Sequence, residues 1–185
     1  MRVIAGKART MPLKSLPGIQ TRPTQDRIKE TLFNVLQQDI PNSIFIDLFS
    51  GSGGIGIEAL SRGAKRAYFV EKSNKACAVI NDNLKFTKLD KEAIVIQKDA
   101  LTALRTISEE AVDVIYIDPP YSEGFEIELV EGLSKASYVN KDTIVVFEAA
   151  LDTEFDFIKD TDFEVVKTKI YKSNKHIFLQ RKDVI

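Results

Sequence analysis

Four consecutive residues, Asp118-Pro119-Pro120-Tyr121, combine groups that could hold and orient an amino group. They follow an apolar run over residues 112–117 that is rich in β-branched side chains, as buried strands are. Because proline cannot donate to a strand ladder, the strand should end here. In an open α/β sheet the carboxyl ends of the strands border the ligand crevice. We therefore expect these residues to lie in a binding cleft.

The chemistry that suits this tetrapeptide is modification of an exocyclic amino group on a nucleobase. Such a nitrogen is a poor nucleophile because its lone pair is delocalised into the ring. Asp118 and the main-chain carbonyl of Pro119 could each accept one N–H bond and favour a pyramidal nitrogen. Tyr121 offers a ring on which a base could stack, which is worth about 1–3 kcal/mol. The alternative is an ordinary strand-to-loop turn, because aspartate and proline are common turn formers.

A glycine-rich loop upstream shifts the balance toward a functional site. Gly51, Gly53 and Gly56 fit the pattern G-x-G-x-x-G, and they lie between the predicted strand 44–48 and a predicted helix. In that context the pattern is typical of a nucleotide-binding loop, where glycine allows a tight turn and close approach of the ligand. Asp47 directly precedes the loop.

Acids follow two further predicted strands, Glu71 after residues 66–70 and Asp99 after residues 93–98. Glu71 is placed to bind ribose hydroxyls, and Asp99 is placed to bind an adenine amino group. Asp47 would repel a pyrophosphate but could face the ammonium group of a sulfonium ligand, which favours S-adenosylmethionine over NAD. Helix capping is the alternative for Asp47 and Asp99, and a NAD-dependent oxidoreductase stays open as a further interpretation.

The hydrophobic pattern predicts strands and helices in alternation, followed by a hairpin. The first helix should follow Thr24 as its N-cap, with Ile28, Leu32 and Leu36 on one face. The pattern predicts an α/β fold with a mostly parallel sheet, helices on both faces and one reversed strand at the end. Predicted strands occupy residues 44–48, 66–70, 93–98, 112–117, 143–147, 163–171 and 176–181.

The composition narrows the class of protein. At 185 residues, with 44% hydrophobic and 29% charged residues, the chain suits one soluble domain. The one cysteine, Cys77, and the one histidine, His176, argue against a disulfide or a cysteine–histidine metal site. His176 is interpreted as structural or as a surface contact. No segment resembles a signal peptide or a membrane span, so we expect a cytoplasmic protein without metal.

Basic residues are concentrated at the two ends of the chain, although the net charge is −1. Residues 1–30 hold seven lysines and arginines against two acids, and residues 165–182 hold six without any acid. This distribution predicts a surface that binds a polyanion such as a nucleic acid. Solvated lysine faces without a partner are the alternative.

The motifs together resemble a known family. The loop region 47–64 with the tetrapeptide at Asp118 is similar to class I S-adenosylmethionine-dependent methyltransferases that act on amino groups. Residues 22–34 and the opening segment 2–6 resemble, more narrowly, the bacterial 16S rRNA guanine-N2 methyltransferases. The resemblance spans essentially the whole chain. It implies a Rossmann-like fold with a seven-stranded sheet, S-adenosylmethionine as donor, and 16S rRNA of the small ribosomal subunit as substrate.

The resemblance also implies an organisation and a set of site residues. The chain should be one monomeric methyltransferase domain over residues 1–185, with a basic extension over 1–23 and the core over 24–185. The residues expected to act on the target base are Asp118, Pro119, Pro120 and Tyr121. The residues expected to bind the cofactor are Arg22, Thr24, Asp47, Phe49, Gly51, Gly53, Glu71, Lys72, Asp99 and Ala100.

Other functions remain open from the sequence alone. The tetrapeptide would equally suit the N6 amino group of adenine in DNA or RNA, or a glutamine amide in protein. A DNA adenine enzyme would usually need an additional recognition segment, and none is evident. A non-catalytic RNA-binding assembly factor is a further alternative, which the intact glycine loop and Asp118 argue against.

Overall fold

The computed structural model describes residues 1–16, 23–120 and 125–183, with side chains from residue 26 onward in the first helix. Seven strands form one sheet in the order β3-β2-β1-β4-β5-β7-β6. The strands are β1 (Ile44–Asp47), β2 (Arg66–Val70), β3 (Ala93–Ile96), β4 (Val114–Ile117), β5 (Ile144–Ala150), β6 (Phe163–Ile170) and β7 (Asn174–Arg181).

The sheet is parallel from β1 to β5, and β7 is the one reversed strand. Because β6 pairs antiparallel with β7, the two form the C-terminal hairpin, and β6 becomes an edge of the sheet. A register shift interrupts this pairing between Val165 and Lys167. The predicted fold class is thus confirmed, including the mostly parallel sheet and the antiparallel hairpin at its end.

Five helices cover the two faces of the described sheet, and the strands alternate their side chains between them. Ile115 and Ile117 of β4 pack with α4 and α5, whereas Val114 and Tyr116 pack with α1, α2 and α3. The helices are α1 (Pro23–Val35), α2 (Gly54–Ser61), α3 (Asn74–Thr87), α4 (Ala100–Thr106) and α5 (Glu126–Lys135).

The N-terminal residues pack against the face that carries α1, α2 and α3. Arg2 and Pro12 form an antiparallel bridge, and Val3, Ala8 and Leu13 are buried in the same hydrophobic core as these helices. At Gly6 the chain has φ +84°, and a Cβ there would lie 1.9 Å from the carbonyl oxygen of Ser61. The close approach of residue 6 to the backbone of Ser61 therefore requires glycine.

Two local predictions were wrong at element boundaries. The first helix begins at Pro23, a position that proline favours, so Thr24 lies inside the helix and is not its N-cap. Strand β5 runs on to Ala150, beyond the predicted end at residue 147, so Glu148 lies within the strand. Strand β5 is longer than predicted because residues 145–150 all pair with β7, which lies about 30 residues away in the sequence.

None of the described helices is long and apolar enough to cross a membrane. Likewise, no cluster of histidine, cysteine or acidic side chains suited to a metal ion occurs in the part of the chain that the structure describes.

Candidate active site

A cleft opens at the carboxyl edge of the parallel strands, as the sequence predicts. It consists of two adjoining cavities of about 210 Å³ and 560 Å³. Phe49, Gly51, Asp118 and Glu148 line both cavities and therefore mark their junction. The larger cavity has the size usual for small-molecule sites.

Asp47 closes the inner end of the smaller cavity. Its side chain is buried at the end of β1, where Oδ2 accepts a hydrogen bond of 3.0 Å from the backbone N–H of Gly56. Burial raises the pKa of Asp47 to about 7, and Glu71 adds to this rise, although the Gly56 bond opposes it. Asp47 therefore supports the first turn of α2 and also presents a buried carboxyl group to the cavity.

The glycine loop has the backbone geometry of a ligand cradle. Gly51 has φ +54°, and no atom lies within 4 Å of the place where a Cβ would stand, so the loop faces open space there. Gly56 is needed for packing instead, since a Cβ would lie 2.4 Å from the Phe69 ring. Of the three motif glycines, Gly51 is thus the one that borders the cavities.

Glu71 fixes this loop from the end of β2. Its Oε2 accepts a 3.0 Å hydrogen bond from the N–H of Gly51, and its Oε1 accepts one of 2.8 Å from the N–H of Ser73. Glu71 and Lys72 both line the larger cavity. The carboxylate predicted to bind ribose thus holds the glycine loop in place, a role that the sequence did not show.

Asp99 and Ala100 also line the larger cavity. Asp99 is the N-cap of α4, where Oδ1 accepts a 2.9 Å hydrogen bond from the N–H of Thr102. The hydrogen bonds from Thr102 lower the pKa of Asp99. Helix capping, the alternative weighed for this residue, is therefore correct, and the exposed carboxylate also borders the cavity.

Asp118 lies at the junction of the cavities, one residue past the end of β4. Burial raises its pKa well above the usual range, and the nearby carboxylates of Glu148 and Asp47 raise it further. Pro119 is buried and Pro120 is exposed, and both line the larger cavity.

Three predicted site residues fall where the structure gives no side chain. Tyr121 and Arg22 lie outside the described residues, and the side chain of Thr24 is not described. The other eleven predicted residues are described. All of them except Gly53 line one or both cavities.

The sequence did not reveal a polar network beside Asp118. Glu148 accepts hydrogen bonds from the Tyr116 hydroxyl and from Nδ2 of Asn174 at 2.5 Å, and its Oε2 lies 3.3 Å from Nε2 of His176. Tyr116 and His176 also line the smaller cavity. The sequence shows only that Glu148 is one more acid near the end of a predicted strand. Its hydrogen-bond partners could not be inferred, because they depend on the pairing of β5 with β7.

Another buried acid, Glu58, anchors the N-terminal segment. Glu58 of α2 is fully buried, and its two oxygens accept hydrogen bonds from the N–H groups of Ile4 and Ala5 at 2.8 and 3.0 Å. Nε of Arg62 lies 2.8 Å from Oε1, and Nζ of Lys29 lies 3.3 Å from Oε2. Lys29 itself lines the smaller cavity from α1.

The geometry can therefore hold a cationic nucleoside. Lysines line the cleft, but Asp47 and Asp118 form no ion pair among the described residues. A buried carboxyl group without a cation is costly when it is ionised. A cation that enters the cleft would relieve this cost.

Comparison with known proteins agrees with this geometry. The family model described as "Conserved hypothetical protein 95" matches residues 1–180. The chain is 36% identical over 171 residues to the Bacillus subtilis protein named "Putative rRNA methyltransferase YlbH", with 91% of each sequence covered. It is 31% identical to the Haemophilus influenzae "Ribosomal RNA small subunit methyltransferase D", with 94% of each covered.

Solved structures give the same result at the level of the fold. The structure entitled "Putative methyltransferase yhhF from Escherichia coli" superposes with a TM-score of 0.83, at 27% identity and with 98% of each chain covered. The chain therefore belongs to the family described as Conserved hypothetical protein 95, and its fold is that of the Rossmann-like methyltransferases.

Proposed function

We propose that this protein transfers a methyl group from S-adenosylmethionine to the exocyclic N2 amino group of a guanine in 16S rRNA of the small ribosomal subunit. The observation that carries the proposal is the position of Asp118. It lies where a nucleoside-sized cavity and a second, smaller cavity meet, at the carboxyl edge of a methyltransferase-type sheet.

The larger cavity and its rim fit the donor. Gly51 leaves open space at a positive φ, Glu71 and Asp99 provide carboxylates that line the cavity, and Asp47 offers a buried carboxyl group for an ammonium group. Phe49, Gly53, Lys72 and Ala100 complete the proposed binding set, together with Arg22 and Thr24. When bound, the donor supplies a methyl group on a positively charged sulfur, which the acidic cleft favours over the phosphates of NAD.

Asp118 and its neighbours are proposed to prepare the target nitrogen. The carboxylate of Asp118 and the carbonyl oxygen of Pro119 would each accept one N–H of the amino group, so that the nitrogen lone pair points toward the methyl group. Pro119 and Pro120 restrict the backbone at this point. Tyr121 would stack on the base. Such positioning is a large part of catalysis when the reacting groups are held a little over 3 Å apart.

The preference for rRNA over DNA or protein rests on the relatives and on surface charge. The relative at 31% identity is named for the small ribosomal subunit. Arg2, Arg9 and Arg27 surround a shallow depression on the N-terminal side, although Asp26 and Glu30 also line it. Exposed arginines of this kind bind phosphates without reading sequence. The choice of guanine N2 follows the resemblance of residues 2–6 and 22–34 to the guanine-N2 enzymes.

The test is to incubate the protein with methyl-labelled S-adenosylmethionine and small ribosomal subunits that lack the modification, and then to identify the labelled nucleoside. We expect N2-methylguanosine with the wild type and none with Asp118→Ala. Asp142→Ala is the matched control, because Asp142 is exposed and precedes β5 at the opposite edge of the sheet. It should behave as the wild type.

Two results would overturn the proposal in different ways. Label in N6-methyladenosine, in DNA or in protein would show that the protein is a methyltransferase, but one with a different substrate. Binding of rRNA with no measurable binding of the donor would instead favour a non-catalytic assembly factor.

A further inference from the structure

His176, the one histidine of the chain, lies between the cleft and the surface. Its side chain is fully buried in β7, and it lines the smaller cavity together with Asp118. Nε2 lies 3.3 Å from Oε2 of Glu148, and Nδ1 lies 3.1 Å from the hydroxyl oxygen of Tyr171. Tyr171 follows β6 and is partly exposed. A continuous line of hydrogen-bonding groups thus leads from the cleft toward solvent.

The arrangement is specific because each member is held from a different strand. Glu148 on β5 is directly opposite His176 on β7, and Tyr116 on β4 donates to the same carboxylate. The His176 ring makes edge contacts with Tyr116 at 6.1 Å and with Tyr171 at 4.9 Å between ring centroids. Besides these ionisable groups, Lys169 of β6 is in register with His176. Burial of such a polar set is costly unless its members satisfy one another.

The proposed reaction creates a proton that must leave the cleft. Methyl transfer forms a bond between carbon and the target nitrogen and breaks the carbon–sulfur bond of the donor, whose electron pair stays on sulfur. The nitrogen becomes positively charged and loses one proton to recover its neutral form. Asp118 is the nearest proposed acceptor, and Glu148 is its electrostatic neighbour. Until that proton departs, the cleft is less negative and binds the next cationic donor less well.

We propose that Glu148, His176 and Tyr171 form a proton exit path from the active site to solvent, an inference that rests on the proposed methyl transfer. The proton passes from Asp118 to Glu148 and then to Nε2 of His176. His176 releases the proton on Nδ1 to the hydroxyl of Tyr171, which gives its own proton to water. Histidine suits this step because both ring nitrogens can carry a proton near neutral pH. No oxidant, metal or other reactant is needed.

Single-turnover and steady-state kinetics separate this path from simple positioning. With His176→Gln, the first turnover should proceed within about twofold of the wild-type rate, since the amide can still donate to Glu148. Later turnovers should slow by about tenfold or more, because a proton-transfer group is missing. Added imidazole should restore part of the steady-state rate. Tyr171→Phe should likewise slow the later turnovers more than the first, but by a smaller factor than His176→Gln.

Tyr68→Phe is the matched control. Like Tyr171, Tyr68 loses a hydroxyl that contacts an ionisable side chain, but its partner Glu109 lines neither cavity of the cleft. This variant should leave both kinetic phases unchanged. Equal slowing of the first and later turnovers by His176→Gln, without rescue by imidazole, would overturn the exit path in favour of a structural role. Unchanged steady-state rates in both His176→Gln and Tyr171→Phe would also overturn it.

A second measurement uses the free protein. In untagged protein labelled with nitrogen-15, the single imidazole gives one pair of ring signals. We expect Glu148→Gln to shift the Nε2 signal and Tyr171→Phe to shift the Nδ1 signal, and the absence of both shifts would contradict the path. If the two variants show these shifts but the wild-type protein transfers no methyl group, the proposed function is overturned and the exit path with it, whereas the hydrogen-bonded chain itself is confirmed.

Discussion

Two buried acidic sites in this molecule have opposite surroundings. Glu58 is enclosed by two backbone N–H groups and by the side chains of Lys29 and Arg62. Asp47 and Asp118 line an open cleft together with Glu148, and no lysine or arginine in the described chain forms an ion pair with Asp47 or Asp118. A carboxylate that the protein neutralises itself is part of the fold. Asp47 and Asp118, which have no ion pair within the described chain, are instead the acids proposed to face a cationic ligand.

The largest expected effect distinguishes Asp118 from Glu58. Asp118→Ala should lower the rate of methyl transfer by roughly 10²–10⁴-fold, the range for a group that takes part in proton transfer or positioning. Donor binding and the free energy of unfolding should change little. Asp118→Asn, which keeps one acceptor oxygen, should lose less activity. If Asp118→Ala instead unfolds the protein, Asp118 belongs with Glu58 as a structural acid.

Glu58 should show the reverse behaviour. Glu58→Gln leaves the buried Lys29 ammonium without its anion, and breaking a buried pair typically costs about 3–5 kcal/mol. Urea denaturation should show this loss in the free energy of unfolding, while methyl transfer per folded molecule is kept. Glu128→Gln, an exposed glutamate on α5, is the control and should be neutral. A stable Glu58→Gln variant would contradict the structural assignment.

Asp47 provides a test by pH. Its pKa in the folded protein is about 7, against an ordinary value of 3.8, so the folded state holds a proton that the unfolded chain has already released. The stability linked to this proton is complete below pH 3.8 and is lost as pH rises through 7. Between pH 5 and pH 8 the wild type should lose on the order of 2 kcal/mol more than Asp47→Asn. Parallel stability curves for the two proteins would contradict this assignment.

The smallest expected effect concerns the exposed charges on the N-terminal segment that Glu58 anchors. Lys7→Ala with Arg9→Ala should weaken binding of the small subunit a few-fold and reduce the dependence of binding on salt, because fewer counterions are released. Lys85→Ala with Lys88→Ala, at the end of α3, is the matched pair. An equal effect of both pairs would show that the N-terminal segment has no special place in RNA binding.

The sequence predicted the parts of the site that depend on local order along the chain. Strands rich in apolar residues end at Asp47, Val70, Ile96 and Ile117, and parallel strands must bring their carboxyl ends to one edge. For this reason the sequence alone was enough to predict that the acids after these strands lie near one another. The hydrogen bond that Glu71 accepts from the N–H of Gly51 was not foreseen, because it joins two residues 20 positions apart in the sequence.

The parts that were missed depend on long-range pairing. His176 was interpreted as structural or as a surface contact, and the antiparallel register of β5 with β7 alone places it opposite Glu148. Lys29 and Glu58 look in the sequence like ordinary charges on exposed helix faces, yet both are buried. No periodicity in the sequence distinguishes a charge that finds a buried partner from one that faces water.

The end of the sheet at β6 has a consequence for solubility. An edge strand offers unpaired backbone groups to which a second molecule could add another strand. Here β6 exposes Val165, Val166 and Ile170, which alone would favour aggregation. The register shift at Val165 and Lys167 distorts the strand, and lysine side chains lie along it. Both features oppose the growth of a continuous sheet between molecules, so the protein can keep an apolar edge strand and remain dispersed at high concentration.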